Sequence, residues 1–167
     1  MVGGERVSST STSRSAGRFV PPVAWDLLGW LGFALFVVGG ADFLLTWFPE
    51  RFGNPEWEFG TITASLNAMP ASLMGLTLLL VWALHDEAPG RARIFSTVLL
   101  VWAVALLALA VVYGLTLPLA VRGLSVPEIG VGLKRAIART LVQLAVYPIV
   151  MTWMGIRGFR LARSITA

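Results

Sequence analysis

The run Ile94–Leu117, IFSTVLLVWAVALLALAVVYGLTL, decides the fold. It carries no charged side chain and shows no period-2 alternation of apolar and polar residues. A hydrocarbon core about 30 Å thick takes roughly 20 mostly apolar residues of helix to cross. Inside lipid an open strand edge would leave backbone groups unpaired, so a run of this kind must be helical. Working outward, three more stretches meet the same requirement: Trp25–Phe48, Thr61–Leu84 and Ile137–Ile156. The expectation is an all-α polytopic membrane protein, with four transmembrane helices forming two helical hairpins. The spans fall at about 25–48, 61–84, 94–117 and 137–156, inside one transmembrane domain over 24–158.

Composition agrees. The 167 residues are 56% apolar and 13% charged, with a mean hydropathy of +0.76. Soluble domains run near 45–50% apolar and about 25% charged. The net charge of +4 would suggest nucleic acid in a soluble protein, but here the arginines flank the spans, so nucleic acid is excluded as a partner. The absence of cysteine removes disulfides, thiolate metal sites and Cys nucleophiles, and leaves the redox compartment unread. Gly39-Gly40-Ala41 resembles a signal-peptide cleavage site, yet apolar sequence continues through Phe43-Leu44-Leu45 to Trp47-Phe48, so the first span reads as a retained helix.

The basic residues set an orientation. Arg6, Arg14, Arg18, Arg91, Arg93, Arg157, Arg160 and Arg163 lie on one side; Arg51, Arg122, Lys134, Arg135 and Arg139 lie on the other. The larger group is expected in the cytoplasm, which places both termini there in a bacterial inner membrane. Residues 1–23 are rich in Ser, Thr, Gly and Arg and read as a disordered basic tail. Residues 159–167 read as a second cytoplasmic tail.

The two outer connections look alike. In the first, Trp47-Phe48-Pro49 closes a span, and Asn54-Pro55-Glu56-Trp57-Glu58 opens the next helix: an N-cap, a proline suited to the first helical position, and two acids at the positive helix end. In the third connection Leu117-Pro118 closes a span, and Ser125-Val126-Pro127-Glu128 opens a helix. The pattern suggests a degenerate duplication of one hairpin. On the second span Gly60, Ala64, Ala68 and Ser72 recur every four residues, a spacing that lets helix backbones approach closely. Pro70 should kink that helix by removing one hydrogen bond.

Candidates for chemistry are few. Asp42, Asn67 and Gln143 are the polar residues at depth, on three different spans. An ionisable group in a span is costly, so Asp42 is a site hypothesis by default, with Arg122, Arg139 and Thr46 as candidate partners. His85 closes the second span and could give one axial ligand to a haem or chlorophyll, but beside Asp86 and Glu87 it reads better as an interfacial, solvated histidine. No catalytic order of Ser, His and Asp, no phosphate loop and no metal-ligand cluster is present, so neither an enzyme nor a cofactor is expected; bound lipid or pigment fits the apolar spans. The tryptophans read as interfacial anchors, with Trp25, Trp82 and Trp153 at one boundary and Trp47 and Trp57 at the other.

The stretch Phe48-Pro49, Asn54-Pro55-Glu56-Trp57-Glu58-Phe59, then Leu66, Pro70 and Gly75-Leu76, resembles the HpsJ-like small membrane proteins of cyanobacteria, which are associated with hormogonium polysaccharide secretion. The likeness covers roughly residues 43–80 and implies a four-helix topology; it brings no catalytic residues, and the connection between the third and fourth spans is shorter here. The functional expectation is a non-catalytic accessory subunit. It would pack its small-residue face and its outer loop (Trp47, Glu56, Trp57, Glu58) against other integral membrane subunits of an energy-transducing or envelope-polysaccharide assembly, in contact with membrane lipids. The alternative is a small transporter or channel organised around Asp42.

Overall fold

A computed structural model describes residues 22–123 and 130–165. Its helices are α1 (Pro22–Leu45), α2 (Pro55–His85), α3 (Pro89–Gly123) and α4 (Gly130–Ser164), with no strand among the described residues. All four are long and apolar enough to cross a membrane. The chain is a multi-pass, all-α membrane protein.

The helix ends follow local chemistry. Asn54 is in an extended conformation, and its side-chain oxygen accepts hydrogen bonds from the backbone N–H of Glu56 (3.0 Å) and Trp57 (3.3 Å). Pro55 takes the first helical position, where its missing N–H costs nothing. The carboxylate of Glu58 reaches back to the Gly53 amide at 2.9 Å, and Gly53 itself sits at φ +89°, which a side chain would oppose. At the far end of α2, the Ala88 N–H donates to the Ala83 carbonyl and the Glu87 N–H to Leu84. This is the Schellman arrangement, which closes the helix and turns the chain within three residues into α3. An ion pair, Arg91 to Asp86 at 2.9 Å, braces that turn from solvent.

Three boundaries differ from the sequence reading. α1 ends at Leu45, before Trp47-Phe48-Pro49. α3 does not end at Pro118; it runs through that proline to Gly123, because the loss of one hydrogen bond at an exposed turn does not outweigh continued helix. α4 remains helical to Ser164, through most of the segment expected to be a tail. The expected helix start at Ser125-Val126-Pro127-Glu128 lies outside the described residues, as does most of the 1–23 tail.

The packing order is α1 on α2, α2 on α3 and α4, and α3 on α4; α1 makes no backbone approach to α3 or α4. α2 is therefore the hub. Of its span 44% is buried inside the protein, against 17% of the α1 span. The core consists of Ile62, Leu66, Met69, Leu76 and Leu80 of α2, packed on Leu99, Leu106 and Tyr113 of α3 and on Leu144 and Met151 of α4. α1 is held on α2 along a line of glycines. A methyl added at Gly32 would lie 3.0 Å from the Gly75 carbonyl oxygen, one at Gly39 would lie 2.7 Å from the Ser72 amide nitrogen, and one at Gly75 would meet the backbone of Gly32 and Phe36. Between α3 and α4 the close approaches are Gly155 on Leu100 and Gly158 on Ser96.

Candidate functional site

Because the backbone of α1 approaches only that of α2, and α3 lies on a neighbouring side of α2, a furrow runs between α1 and α3 with α2 as part of its floor. Three cavities mark its length. At the end that carries the α2–α3 turn, a cavity of about 530 Å³ is bounded by Asp26, Trp30 and Phe33 of α1, Trp82 of α2 and Phe95 of α3. Midway, about 370 Å³ lies between Phe43 and the Thr97–Ala105 stretch of α3. At the far end, about 390 Å³ lies between Leu44 and Trp47 and the Ala105–Val112 stretch. An edge-to-face contact between the Phe43 and Trp102 rings, 4.9 Å between centroids, bridges it.

The periodicity of each helix builds this furrow. Gly29 is pressed against Trp82, and that contact turns the neighbouring Trp30 outward, 71% exposed. Trp82 is capped in turn by the Arg91 guanidinium, 5.0 Å above its ring. The lining is apolar and aromatic, with Asp26 the ionisable group along it. Such a surface can hold hydrocarbon or a helix; it offers no pair of groups for proton transfer.

The loop end of the furrow is closed by an aromatic cluster. Trp47 lies 6.1 Å from Phe52 and 6.0 Å from Trp57, and Phe52 lies 5.4 Å from Trp57, measured between ring centroids. Thus Trp47 and Trp57, expected as an outer contact surface, pack first on each other, and Glu58 is occupied at Gly53. Glu56, Phe48 and Phe52 remain exposed.

The structure divides the small-residue stripe. Ala68 and Ser72 are buried, whereas Gly60 and Ala64 are exposed, with nothing within 4 Å of a methyl built on Gly60. The close helix contact falls further along, at Ser72 and Gly75, and its partners on α1 are Gly32 and Gly39, whose spacing is visible in the sequence beside Gly29. The intramembrane polar residues do not converge on one path. Asp42 is exposed one turn before the end of α1, where its backbone carbonyl accepts the Thr46 hydroxyl at 2.7 Å. Its carboxylate pairs with no described residue, Arg139 included; the Arg122 side chain lies outside the described set. Asn67 is exposed on α2. Gln143 is half-buried on α4 and donates to the Tyr147 hydroxyl at 3.4 Å. His85 is exposed and stacked on Trp25 at 3.8 Å. Among the described residues no group of three His, Asp or Glu side chains is placed to hold a metal.

A polar junction in the core was not anticipated. Tyr113 is fully buried, stacked on Phe59 at 5.3 Å, and its hydroxyl makes no hydrogen bond of good geometry although the Thr63 and Thr140 hydroxyls stand beside it. Those two hydroxyls are 3.4 Å apart and tie α4 to α2. No family model, curated protein or solved structure matches this chain.

Proposed function

We propose that this protein is a non-catalytic accessory subunit of a bacterial inner-membrane assembly, with both termini in the cytoplasm, and that it receives an apolar transmembrane segment of another subunit in the furrow between α1 and α3. The observation that carries this reading is the furrow itself. It runs the depth of the span, opens sideways, and is edged by large aromatic side chains that would seat against small residues of an incoming helix. The eight arginines gathered at the termini and at the α2–α3 turn support the orientation.

A photoreactive residue placed at Val101, on the furrow, and another at Val142, on the far side of the bundle, test this in native membranes. The reading expects a discrete protein adduct from Val101, of a mass other than two copies of the 18.0 kDa chain, and only lipid adducts from Val142. Lipid adducts alone at both positions would reject it.

A further inference from the structure

The flank of the α1/α2 hairpin turned away from the furrow carries two exposed polar side chains at membrane depth, Asp42 and Asn67. With 3.6 residues per turn, Phe33 and Phe43 look toward α3, and Asp42 and Thr46 stand on the opposite flank. On α2 that flank continues through Gly60, Ala64 and Asn67, all exposed. The Asn67 amide has no hydrogen-bond partner among the described residues, and neither has the Asp42 carboxylate. Inside a bilayer, lipid tails supply no partner for either group.

The depths of these two residues are tied together. The Gly39–Ser72 contact fixes the antiparallel register of α1 against α2. From that level Asp42 lies three residues further along α1 and Asn67 five residues back along α2, both toward the Trp47–Trp57 end. At a rise of 1.5 Å per residue these are offsets of about 4.5 and about 7.5 Å, so the two stand within about 3 Å of the same depth. A two-fold axis along the membrane normal pairs residues only at equal depth, and it pairs each with the other twice.

We propose that two copies of this chain associate through this flank, the Asn67 amide of each donating to the Asp42 carboxylate of the other. Asn67 brings donors and Asp42 only acceptors when ionised, so one surface complements itself. Gly60 and Ala64 add little bulk, which lets the two α2 helices approach closely enough for those bonds to form. The furrow lies on the other flank and stays open in the pair, so this inference stands or falls apart from the proposed accessory role.

The chain is free of cysteine, so one introduced at Ala64 reports the contact by oxidative cross-linking in membranes, with Val142→Cys as the far-side control. The expected result is a product of twice the chain mass from Ala64→Cys and none from Val142→Cys. Adding Asn67→Asp, which sets carboxylates against each other, should lower the dimer yield about tenfold, as the loss of two interhelical hydrogen bonds implies. The exchange Asp42→Asn with Asn67→Asp should restore it, because the reciprocal pair is rebuilt with its members swapped; the rescue shows that a carboxylate at 67 is compatible with the fold, and an unchanged SDS unfolding midpoint for Asn67→Asp shows that the single variant still folds. No product at Ala64, a product of any other mass, or an exchange variant no better than Asn67→Asp would overturn the proposal.

Discussion

In the α1/α2 hairpin a methyl added at Gly32, Gly39 or Gly75 would lie within 3.0 Å of backbone atoms, whereas in the α3/α4 hairpin Gly155 and Gly158 lie mainly against side chains. A methyl on Gly75 would meet the Gly32 carbonyl oxygen at 2.6 Å and the Phe36 Cα at 2.9 Å; one on Gly158 would meet the Ser96 hydroxyl and the tips of Leu80 at 3.1 Å. Side chains can rotate away and helix backbones cannot. The difference matches what stands behind each hairpin. α3 and α4 are each also packed on α2, so their contact is one of several, but α1 has no other close backbone approach. A helix held along one line needs that line to be close, since dispersion falls off steeply with separation and no hydrophobic force draws helices together in lipid.

The largest effect that can break this comparison is at Gly75. In an ordinary exposed stretch of helix, replacing Gly by Ala gains about 0.5–1 kcal/mol. At Gly75 the sign should reverse, with a loss of about 3 kcal/mol from overpacking against immovable backbone. Gly114, with nothing within 4 Å, is the control and should show the ordinary gain. Unfolding of the detergent-solubilised protein with increasing SDS would measure both. If Gly75→Ala and Gly114→Ala shift the midpoint in the same direction, α1 is not held as described.

A double-mutant cycle sharpens the same contrast at a smaller scale. Each hairpin has one glycine that approaches a serine hydroxyl, Gly39 with Ser72 and Gly158 with Ser96. Gly158→Ala should cost about 1–2 kcal/mol, and Ser96→Ala should recover most of it, because the hydroxyl is the principal obstacle. Gly39→Ala should cost about 2 kcal/mol, and Ser72→Ala should recover little, because the Ser72 amide nitrogen remains 2.7 Å from the new methyl. The two cycles should therefore give unequal coupling energies, about 1 kcal/mol in the α3/α4 hairpin and near zero in the α1/α2 hairpin. Equal coupling would erase the distinction between the hairpins.

The same physics explains what could be read from the sequence. Four spans were legible because each run of apolar residues answers to a fixed bilayer thickness, and the α2 start was legible because Asn54, Pro55 and Glu58 are local chemistry. Of the stripe Gly60, Ala64, Ala68 and Ser72, the close contact takes the Ser72 end and leaves Gly60 and Ala64 exposed, because a four-residue spacing of small residues names a face without naming what lies opposite. Gly32, Gly39 and Gly75 become meaningful only as a pair of lines in antiparallel register. The furrow was not legible at all. It exists because the backbones of α1 and α3 stay apart, a property of helix placement that no single helix encodes. The buried Tyr113–Thr63–Thr140 junction was hidden for a related reason: its members come from three helices, and none is unusual in a membrane span.

The shortest connection supplies the smallest test. Glu87 occupies the position after the α2 C-cap at φ +50°, in the left-handed region where a Schellman motif ordinarily has glycine. Holding an L-residue there costs roughly 1–2 kcal/mol, and glycine gives back about 0.5–1 kcal/mol through the greater freedom of its unfolded chain. Glu87→Gly should therefore stabilise the protein by about 0.5–1 kcal/mol. Removing the carboxylate also removes a negative charge that stands between the negative end of α2 and the positive end of α3, an electrostatic change to be separated from the conformational one. Glu87→Gln separates the two, since it discards the charge and keeps the strained backbone. The expected order in the SDS titration is Glu87→Gly above Glu87→Gln, with the latter at or slightly above the parent. If Glu87→Gln gains as much as Glu87→Gly, the strain at this turn contributes nothing and the charge accounts for the whole effect. If Glu87→Gly instead loosens the protein, the Arg91–Asp86 ion pair is too weak to hold a freed turn, and the side chain at 87 is itself part of what closes α2 onto α3.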